Sequence, residues 1–391
     1  MQFYSHQFLQ DHIKSILAFY DDVVIDPSGG YFQNFYDNKN TFNQGFKQLV
    51  SSTRIVVNYA LASIAFDSEE YRNMALHGLN FLEQYHWQED SQTYAWTLQD
   101  NKPLDMTQQA YGYAFVLLAY SAAKKANLID SDAAIEKVYN LLEERFWLAD
   151  YELYADEISP CGELSSYRGQ NANMHLCEAM IAAYEATENK KYLNKAMKIA
   201  NNIAKKQADL TQGLIWEHYT ENFEPDWEYN KEDPKNLYRP WGFQPGHQTE
   251  WTKLLLILYK YDPQIWLLER ATSLFDKAFE TAWDHEYGGL IYGYDPDGNW
   301  CDTDKYFWVQ AESFAAAALL YKATNDEKYL EAYQRLWKYS WEHMVDHTHG
   351  AWFRVLEQNN TKYSNEKSAA GAKCDYHTLC ACLEVLNSIK S

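Results

Sequence analysis

A short aromatic segment, usually opened by glycine, recurs six times along the chain at steps of roughly 60 to 75 residues. The six copies are GGYFQNF from residue 29, QTYAWTL from 92, LYADEI from 153, GLIWEHY from 213, GGLIYGY from 288 and GAWFRVL from 350. Self-similarity at a regular step is the signature of stacked supersecondary units, because each unit buries its apolar face against its neighbours. The repeat therefore predicts six similar structural units.

Each aromatic segment lies between two helical patterns of different character. The segments before it are charged and carry apolar residues at three- and four-residue spacing, as in residues 69–85, 131–147 and 326–344. The segments after it are rich in alanine and leucine, and they begin near residues 53, 107, 170, 246, 310 and 375. This alternation predicts a charged outer helix, a short hairpin and a buried inner helix in every unit.

The predicted fold class is all-α, an (α/α)6 barrel of six inner and six outer helices with short β-hairpins between them. At 391 residues the chain is long for one hydrophobic core. Ring closure would explain how residues 1–391 form a single domain, because each unit packs on the next. An open solenoid of helix pairs is the alternative architecture.

Composition excludes several classes of function. A net charge of −21 leaves no basic footprint for nucleic acid. The first twenty residues lack the basic start and apolar run of a signal peptide, and we expect no membrane-spanning stretch. The six cysteines are scattered without a C-x-x-C pair. We therefore expect a cytoplasmic protein with reduced thiols. We expect no membrane or nucleic-acid partner, and a homo-oligomer is a possible assembly.

Polar side chains cluster in the first turns of the predicted inner helices. They include Arg54, Asn171, His175, His247, Glu250, Glu312 and His377. In a closed barrel these helix starts would converge at one end. Burying polar groups is costly unless they are paired or bind a ligand, and helix N-termini offer free N–H groups. The pattern predicts a shared polar pocket.

A metal centre is the rival explanation for this pocket. His175, His247 and His377 could ligate zinc or manganese together with Glu250. The chain has no H-E-x-x-H or C-x-x-C signature. We therefore expect no metal and no cofactor.

Four ordered motifs resemble the N-acylglucosamine 2-epimerase superfamily over nearly the whole chain. They are RGQNANMHLCEA from residue 168, PGHQTEW from 245, KYFWVQAE from 305 and KCDYHT from 373. The superfamily folds as an (α/α)6 barrel. TRIVVNY and YRPWGFQPGH are most similar to the branch that contains mannose and sulfoquinovose isomerases.

The resemblance implies metal-free acid/base chemistry at C1 and C2 of an aldose. By motif, His247 and His377 would be the catalytic pair. The substrate-binding set would be Arg54, Asn171, His175, Arg239, Glu250, Trp308 and Glu312. Trp308 is as well suited to core filling as to stacking on a sugar. A neutral imidazole can remove and return the C2 proton, and Arg54 can stabilise the developing oxyanion.

The predicted function is an aldose–ketose isomerase that interconverts D-mannose and D-fructose through a cis-enediol(ate). A related aldose, such as lyxose or a 6-sulfo-sugar, would fit the same chemistry. The alternative is a 2-epimerase of mannose, glucose or cellobiose, because two histidines suit either outcome. An inverting glycosidase would need two carboxylates from Glu250, Glu312 and Asp375. A sugar-binding or scaffold protein is the third option.

Overall fold

The computed structural model describes residues 2–369 and 374–390, the side chain of Lys390 excepted. Twelve helices form the body of this part of the chain. They are α1 (His6–Tyr20), α2 (Leu49–Phe66), α3 (Glu69–Phe81), α4 (Ala110–Lys125), α5 (Asp132–Arg145), α6 (Gln170–Thr187), α7 (Lys190–Ala200), α8 (Pro245–Tyr261), α9 (Ile265–Ala282), α10 (Phe307–Thr324), α11 (Glu327–Tyr339) and α12 (Tyr376–Lys390). Lys373, the first residue of the KCDYHT motif, lies outside the described residues.

The even-numbered helices form a closed inner ring. Helix α2 packs on α4, α4 on α6, α6 on α8, α8 on α10, α10 on α12, and α12 returns to α2. The odd-numbered helices pack outside this ring, with α1 on α12 and each of the others on the inner helix that precedes it. The predicted (α/α)6 barrel is confirmed, and the open solenoid is wrong.

Apolar burial explains why the two rings differ. In α4 nearly every residue is buried, whereas α5 buries one stripe that includes Ile135, Val138 and Leu142. Outer helix α7 shows the same one-sided pattern, with Leu193, Ala196 and Ile199 buried between exposed or half-buried polar residues. A helix that is apolar all round belongs between other helices, and an amphipathic helix belongs at the surface.

Helices α2, α4, α6, α8 and α10 begin without a capping side chain. Outer helices α1, α3, α7 and α11 are capped by Ser5, Ser68, Asn189 and Asp326. The first N–H groups of an uncapped helix have no intrahelical partner. In four inner helices the first N–H donates instead to a carbonyl of the next aromatic segment: Leu49 to Trp96, Ala110 to Asp156, Gln170 to Glu217 and Phe307 to Arg354.

Short strands connect the helices. They are β1 (Phe35–Tyr36), β2 (Phe46–Gln48), β3 (Trp87–Gln88), β4 (Thr93–Tyr94), β5 (Thr97–Gln99), β6 (Lys102–Asp105), β7 (Gln108–Gln109), β8 (Trp147–Leu148), β9 (Leu153–Tyr154), β10 (Glu157–Ile158), β11 (Arg168–Gly169), β12 (His218–Tyr219), β13 (Gly293–Tyr294), β14 (Trp300–Asp302), β15 (Lys305–Tyr306), β16 (Val355–Leu356) and β17 (Glu366–Ser368). All pairings between them are antiparallel.

Strand pairing repeats the closure of the helical ring. The segment that enters each inner helix pairs with the aromatic segment of the next unit: β2 with β5, β7 with β10, β11 with β12, Phe243 with Tyr294, and β15 with β16. The last unit returns to the first, because β17 pairs with β1. The aromatic repeat is therefore the seam between neighbouring units.

Three units share a buried lysine–aspartate pair that joins the hairpin to the strand before the inner helix. The pairs are Lys47 with Asp26, Lys305 with Asp284, and Lys367 with Asp346. Lys367 also lies 3.5 Å from Asp37 of the first unit. This last pair therefore belongs to the seam that closes the barrel.

Helix α2 corrects one expectation from the sequence. Its 18 residues, Leu49–Phe66, are long and apolar enough to cross a membrane by length and composition. In the barrel, 78% of this segment is buried. Its apolar character is that of an inner helix surrounded by other helices.

Candidate active site

A cavity of about 670 Å³ lies at the end of the barrel where the inner helices begin. All six inner helices contribute lining residues from their first two turns. These residues are Val50 and Arg54 from α2, Tyr111 from α4, Asn171, Ala172 and His175 from α6, His247 and Glu250 from α8, Trp308 from α10, and His377 from α12. The predicted convergence of polar helix starts on one pocket is confirmed.

Eight of the nine predicted site residues line this cavity, and Glu312 does not. The side chain of Glu312 is 1% exposed and lies behind His377, whose Nδ1 is 2.7 Å from Glu312 Oε1. Glu312 can therefore act on a ligand only through His377. The predicted direct contact between Glu312 and the substrate does not fit this position.

Three histidines in the cavity share one arrangement, in which Nδ1 contacts a carboxylate. His377 pairs with Glu312 at 2.7 Å, His247 with Glu217 at 2.9 Å, and His175 with Glu178 at 2.9 Å. An Nδ1–H that donates to a carboxylate fixes the tautomer of the neutral ring. In each ring Nε2 then carries the lone pair that can accept a proton.

The indole of Trp308 lies between two of these histidines. Its ring centroid is 5.0 Å from that of His247 and 5.6 Å from that of His377. Gly246 permits this packing, because a Cβ atom there would lie 2.5 Å from Cζ3 of Trp308. Trp308 therefore lines the cavity and packs against both histidines, and its stacking on a sugar stays a prediction.

Arg54 is buried against aromatic rings at the cavity wall. Its guanidinium carbon lies 4.4 Å from the centroid of Phe115 and 4.9 Å from that of Tyr376. Nη2 donates to the hydroxyl of Tyr111 at 2.9 Å. These contacts hold a permanent positive charge beside Glu250 and His377, where it can stabilise a developing oxyanion. Burial disfavours the charged guanidinium, but the interactions with Tyr111, Tyr376 and other neighbouring groups outweigh this cost and raise the pKa of Arg54.

Arg239 comes from the loop between β12 and α8. Its Nη2 donates to Glu157 Oε2 at 2.9 Å, its Nη1 donates to Tyr229 at 3.0 Å, and the guanidinium stacks 3.8 Å from the centroid of Tyr167. The charge of Arg239 is therefore neutralised within the protein. Its position is suited to hydrogen bonding with a sugar more than to attracting an anion.

Two site residues were missed by the sequence analysis. Glu217 lies in the fourth aromatic segment, and its Oε2 contacts both His247 and Gln170 Nε2. Lys253 is a buried lysine in the leucine-rich part of α8, with Nζ 2.6 Å from Glu312 Oε2 and 3.8 Å from Glu178 Oε1. A lysine inside TEWTKLLLIL was the available signal, because an unpaired lysine is rarely buried.

Two other polar groups at the inner-helix starts, Gln310 and Asp375, have structural roles. Gln310 donates to the carbonyl of Leu290 at 2.8 Å and accepts from its N–H at 3.0 Å. Asp375 accepts from the hydroxyl of Tyr20 at 2.6 Å and does not line the cavity. Part of the polar ring at the inner-helix starts therefore ties the helices to the aromatic strands.

Burial and neighbouring cations favour the neutral forms of His377 and His175. Burial lowers the pKa of His377 well below its ordinary value, and Arg54, His175 and Lys253 lower it further. Burial also lowers the pKa of His175, although Glu178 opposes the shift. A neutral His377 near pH 7 is competent to accept a proton.

Two groups of side chains have metal-ligand spacing, with donor atoms within 4.8 Å of one another. They are His175, Glu178 and Glu250, and Glu250, Glu312 and His377. Glu312 already accepts from Lys253 at 2.6 Å and from His377 at 2.7 Å. A divalent cation would have to displace the ammonium of Lys253 and lie near Arg54, so this donor set fits a metal poorly. The expectation of metal-free chemistry stays a prediction.

Comparisons with known proteins agree with this architecture. Residues 30–381 match the family model described as N-acylglucosamine 2-epimerase (GlcNAc 2-epimerase). The chain is 53% identical to D-mannose isomerase of Marinomonas mediterranea, over 99% of this chain and 98% of that protein. It superimposes on a crystal structure of D-mannose isomerase with a TM-score of 0.97 at 53% identity, covering 99% of each chain.

A more distant structure shares the fold alone. Cellobiose 2-epimerase from Spirochaeta thermophila has a TM-score of 0.86 at 21% identity, covering 98% of this chain and 96% of that one. The match to the family model covers most of the chain, and the relative at 53% identity extends over nearly all of it. The chain therefore belongs to the N-acylglucosamine 2-epimerase family.

Proposed function

We propose that this protein is an aldose–ketose isomerase that interconverts D-mannose and D-fructose. The observation that carries the proposal is His377, a neutral imidazole that lines the cavity with its Nδ1 held by Glu312. The 53% identity to a D-mannose isomerase supports the choice of sugar. The chemistry proceeds through an open-chain aldehyde and a cis-enediol(ate).

His247 and His377 are assigned to different proton transfers. His247, with Nδ1 on Glu217, can move a proton on the ring oxygen or the anomeric hydroxyl while the sugar opens. His377 then removes the proton from C2, which the neighbouring carbonyl has acidified. Returning that proton to C1 from the same face gives the ketose, so one base is sufficient for isomerisation.

Hydrogen-bond donors held in place by the protein stabilise the negative charge that develops on the sugar oxygen. Arg54 is held by Tyr111 and by aromatic rings, so its guanidinium needs no reorganisation during the reaction. His175 and Asn171 line the same wall from α6. We assign them to substrate binding, because the family resemblance gives the acid/base roles to His247 and His377.

A neutral sugar suits the cavity better than a sulfonated one. Asp105, Asp156 and Glu217 line the cavity, and Arg239 is already paired with Glu157. An anionic substituent would meet these carboxylates at close range. Lyxose, which has the C2–C4 configuration of mannose without C6, should be accepted.

A 2-epimerase is the second candidate, since epimerisation requires a base on each face of C2. Both His247 and His377 contact Trp308 in one cavity. Incubation with mannose followed by product chromatography separates the two proposals. Fructose as the main product supports the isomerase, whereas glucose without fructose would rule it out.

Two other classes have less support from the site. An inverting glycosidase needs two carboxylates that face the substrate, and of the three predicted candidates, Glu250, Glu312 and Asp375, only Glu250 lines the cavity. A binding protein would not need three histidine–carboxylate pairs. A monosaccharide substrate, no nucleic-acid or membrane partner, a homo-oligomer as a possible assembly, no cofactor and cytoplasmic localisation are part of the same proposal. The acidic composition supports the lack of a nucleic-acid partner, and the unpaired cysteines support the localisation.

A further inference from the structure

Glu250 is a buried carboxyl group without a hydrogen-bond partner at the cavity wall. It lines the cavity from the second turn of α8, and its side chain is 1% exposed. Neither Oε1 nor Oε2 has a hydrogen-bond partner among the described residues. The Nδ1 of His175, 3.9 Å from Oε1, already contacts Glu178 at 2.9 Å.

The neighbouring carboxylates take the available donors. Glu312 accepts from Lys253 and His377, and Glu178 accepts from His175 and from Tyr376 at 3.0 Å. The charged and titratable groups around Glu250 are Arg54 on α2, Tyr111 on α4, His175 and Glu178 on α6, Lys253 on α8, Glu312 on α10, and Tyr376 and His377 on α12.

A third negative charge in this cluster would be buried without a donor, which is costly. Burial raises the pKa of Glu250 well above its ordinary value, and the charge of Glu312 raises it further. Lys253 and Arg54 oppose the shift without reversing it. The favoured state is a neutral carboxylic acid with one O–H and one carbonyl oxygen.

We propose that Glu250 is a carboxylic acid in the resting enzyme and that it relays a proton from O2 to O1 of the bound sugar. The proposal rests on the isomerase function given above. Conversion of an aldose to a ketose moves two hydrogens, one from C2 to C1 and one from O2 to O1. His377 can account for the first transfer, and no other group has been assigned to the second.

The atoms and electrons balance in two steps. His377 takes the C2 proton, the C2–H electron pair forms the C1–C2 double bond, and O1 takes the proton of Glu250. The other oxygen of Glu250 then takes the O2 proton, the C2–O2 double bond forms, and C1 takes the proton back from His377. Glu250 and His377 both end in their starting states. O1 and O2 of a cis-enediol lie on the same side, where one carboxyl group with two unoccupied oxygens can contact both.

The test is the variant Glu250→Gln, assayed with mannose in deuterated water. The amide still donates and accepts hydrogen bonds, so the enediolate should form, but it cannot relay a proton. Fructose formation should fall by about 10²- to 10⁴-fold, the usual contribution of acid–base catalysis. Deuterium incorporation at C2 of the remaining mannose should fall much less, because the trapped enediolate returns to aldose. Equal loss of both rates, or undiminished fructose formation, would overturn the proposal.

Two further measurements separate the relay from loss of the fold or of the function. Glu136→Gln, on outer helix α5, should keep the wild-type ratio of exchange to fructose formation, and circular dichroism should show both variants folded. The difference spectrum of wild type minus Glu250→Gln should contain the infrared band of a protonated carboxylic acid; identical spectra would contradict a neutral Glu250. Wild type without ketose formation would refute the isomerase itself, whereas active wild type with an unchanged ratio in Glu250→Gln would refute only the relay.

Discussion

The Nδ1 atom of His377 lies 2.7 Å from Oε1 of Glu312, a carboxylate with no face on the cavity. Its other oxygen lies 2.6 Å from Nζ of Lys253. Burial raises the pKa of Glu312, and the cation of Lys253 is the largest influence that opposes the rise. The lysine thus favours the ionised carboxylate, which orients the imidazole and leaves Nε2 for the substrate.

The change Glu312→Gln should lower kcat by about 10²-fold or more, because His377 loses the charge that fixes its tautomer. KM should stay near the wild-type value, since Glu312 does not line the cavity. Steady-state kinetics with mannose measure both constants. The surface change Glu152→Gln is the matched control, and a rise in KM with unchanged kcat at Glu312→Gln would contradict the positioning role.

The pH dependence of kcat/KM should extend further into acid than an ordinary histidine allows. The pKa of His377 is lowered, so the competent neutral form persists below pH 6.5 and activity is lost only as the pH falls through the lowered value. The pKa of His175 is lowered in the same direction. A profile of kcat/KM against pH checks this, and loss of half the activity above pH 6.5 would contradict it.

The change Gly246→Ala should disturb catalysis through Trp308. A Cβ atom at this position would lie 2.5 Å from the indole, so α8 or the ring must shift. Because both histidines pack on Trp308, we expect kcat/KM to fall by about 10²-fold. The double variant Gly246→Ala/Trp308→Phe should recover part of the loss, since a smaller ring relieves the overlap. Wild-type kinetics in Gly246→Ala would show that this contact is not needed.

The change Lys367→Met should destabilise the barrel at its seam. Removing one partner of the buried pair with Asp346 leaves an unpaired charge, which costs about 3–5 kcal/mol. Burial alone would raise the pKa of Asp346, but the hydrogen bond and charge of Lys367, together with the backbone N–H groups of His349 and Thr348, outweigh it, and the pKa is lowered. The stabilisation is therefore present at neutral pH and is lost as the pH falls through this lowered pKa.

Chemical denaturation of wild type and Lys367→Met at pH 7 and in acid measures both effects. The difference in the free energy of unfolding should be largest at pH 7 and should shrink in acid. Lys198→Met is the matched control, because the side chain of Lys198 is 52% exposed and its surface pair with Glu152 contributes about 1 kcal/mol or less. Equal effects of the two lysines would contradict a special role for the seam.

Much of the fold could be read from the sequence, because the period of the apolar residues is local information. The segment that begins near residue 170 is helix α6, Gln170–Thr187, and the segment that begins near 246 is α8, Pro245–Tyr261. The regular step of the aromatic segments gave the number of units. The pairing of β17 with β1 joins the two ends of the chain, and no local pattern encodes it.

The site was predictable where a residue lies in an inner-helix start, as His247 and His377 do. Glu217 was missed because it reaches His247 from the residue before β12, 30 positions earlier in the chain, so that no local pattern links the two. The sequence analysis assigned Glu312 to substrate binding because a helical pattern shows which turn a residue occupies. It does not show that the side chain of His377 lies between Glu312 and the cavity. Lys253 was missed because its partner Glu312 lies on another helix, and the sequence does not show which helices are neighbours.

The most direct test of the account is the variant His377→Ala with mannose in deuterated water, measured for fructose formation and for deuterium at C2. Removal of the base should abolish both, while His247→Ala should retain measurable C2 exchange when the open-chain sugar is present. Circular dichroism should show both variants folded. C2 exchange at a near wild-type rate in His377→Ala would contradict the assignment of His377 as the base.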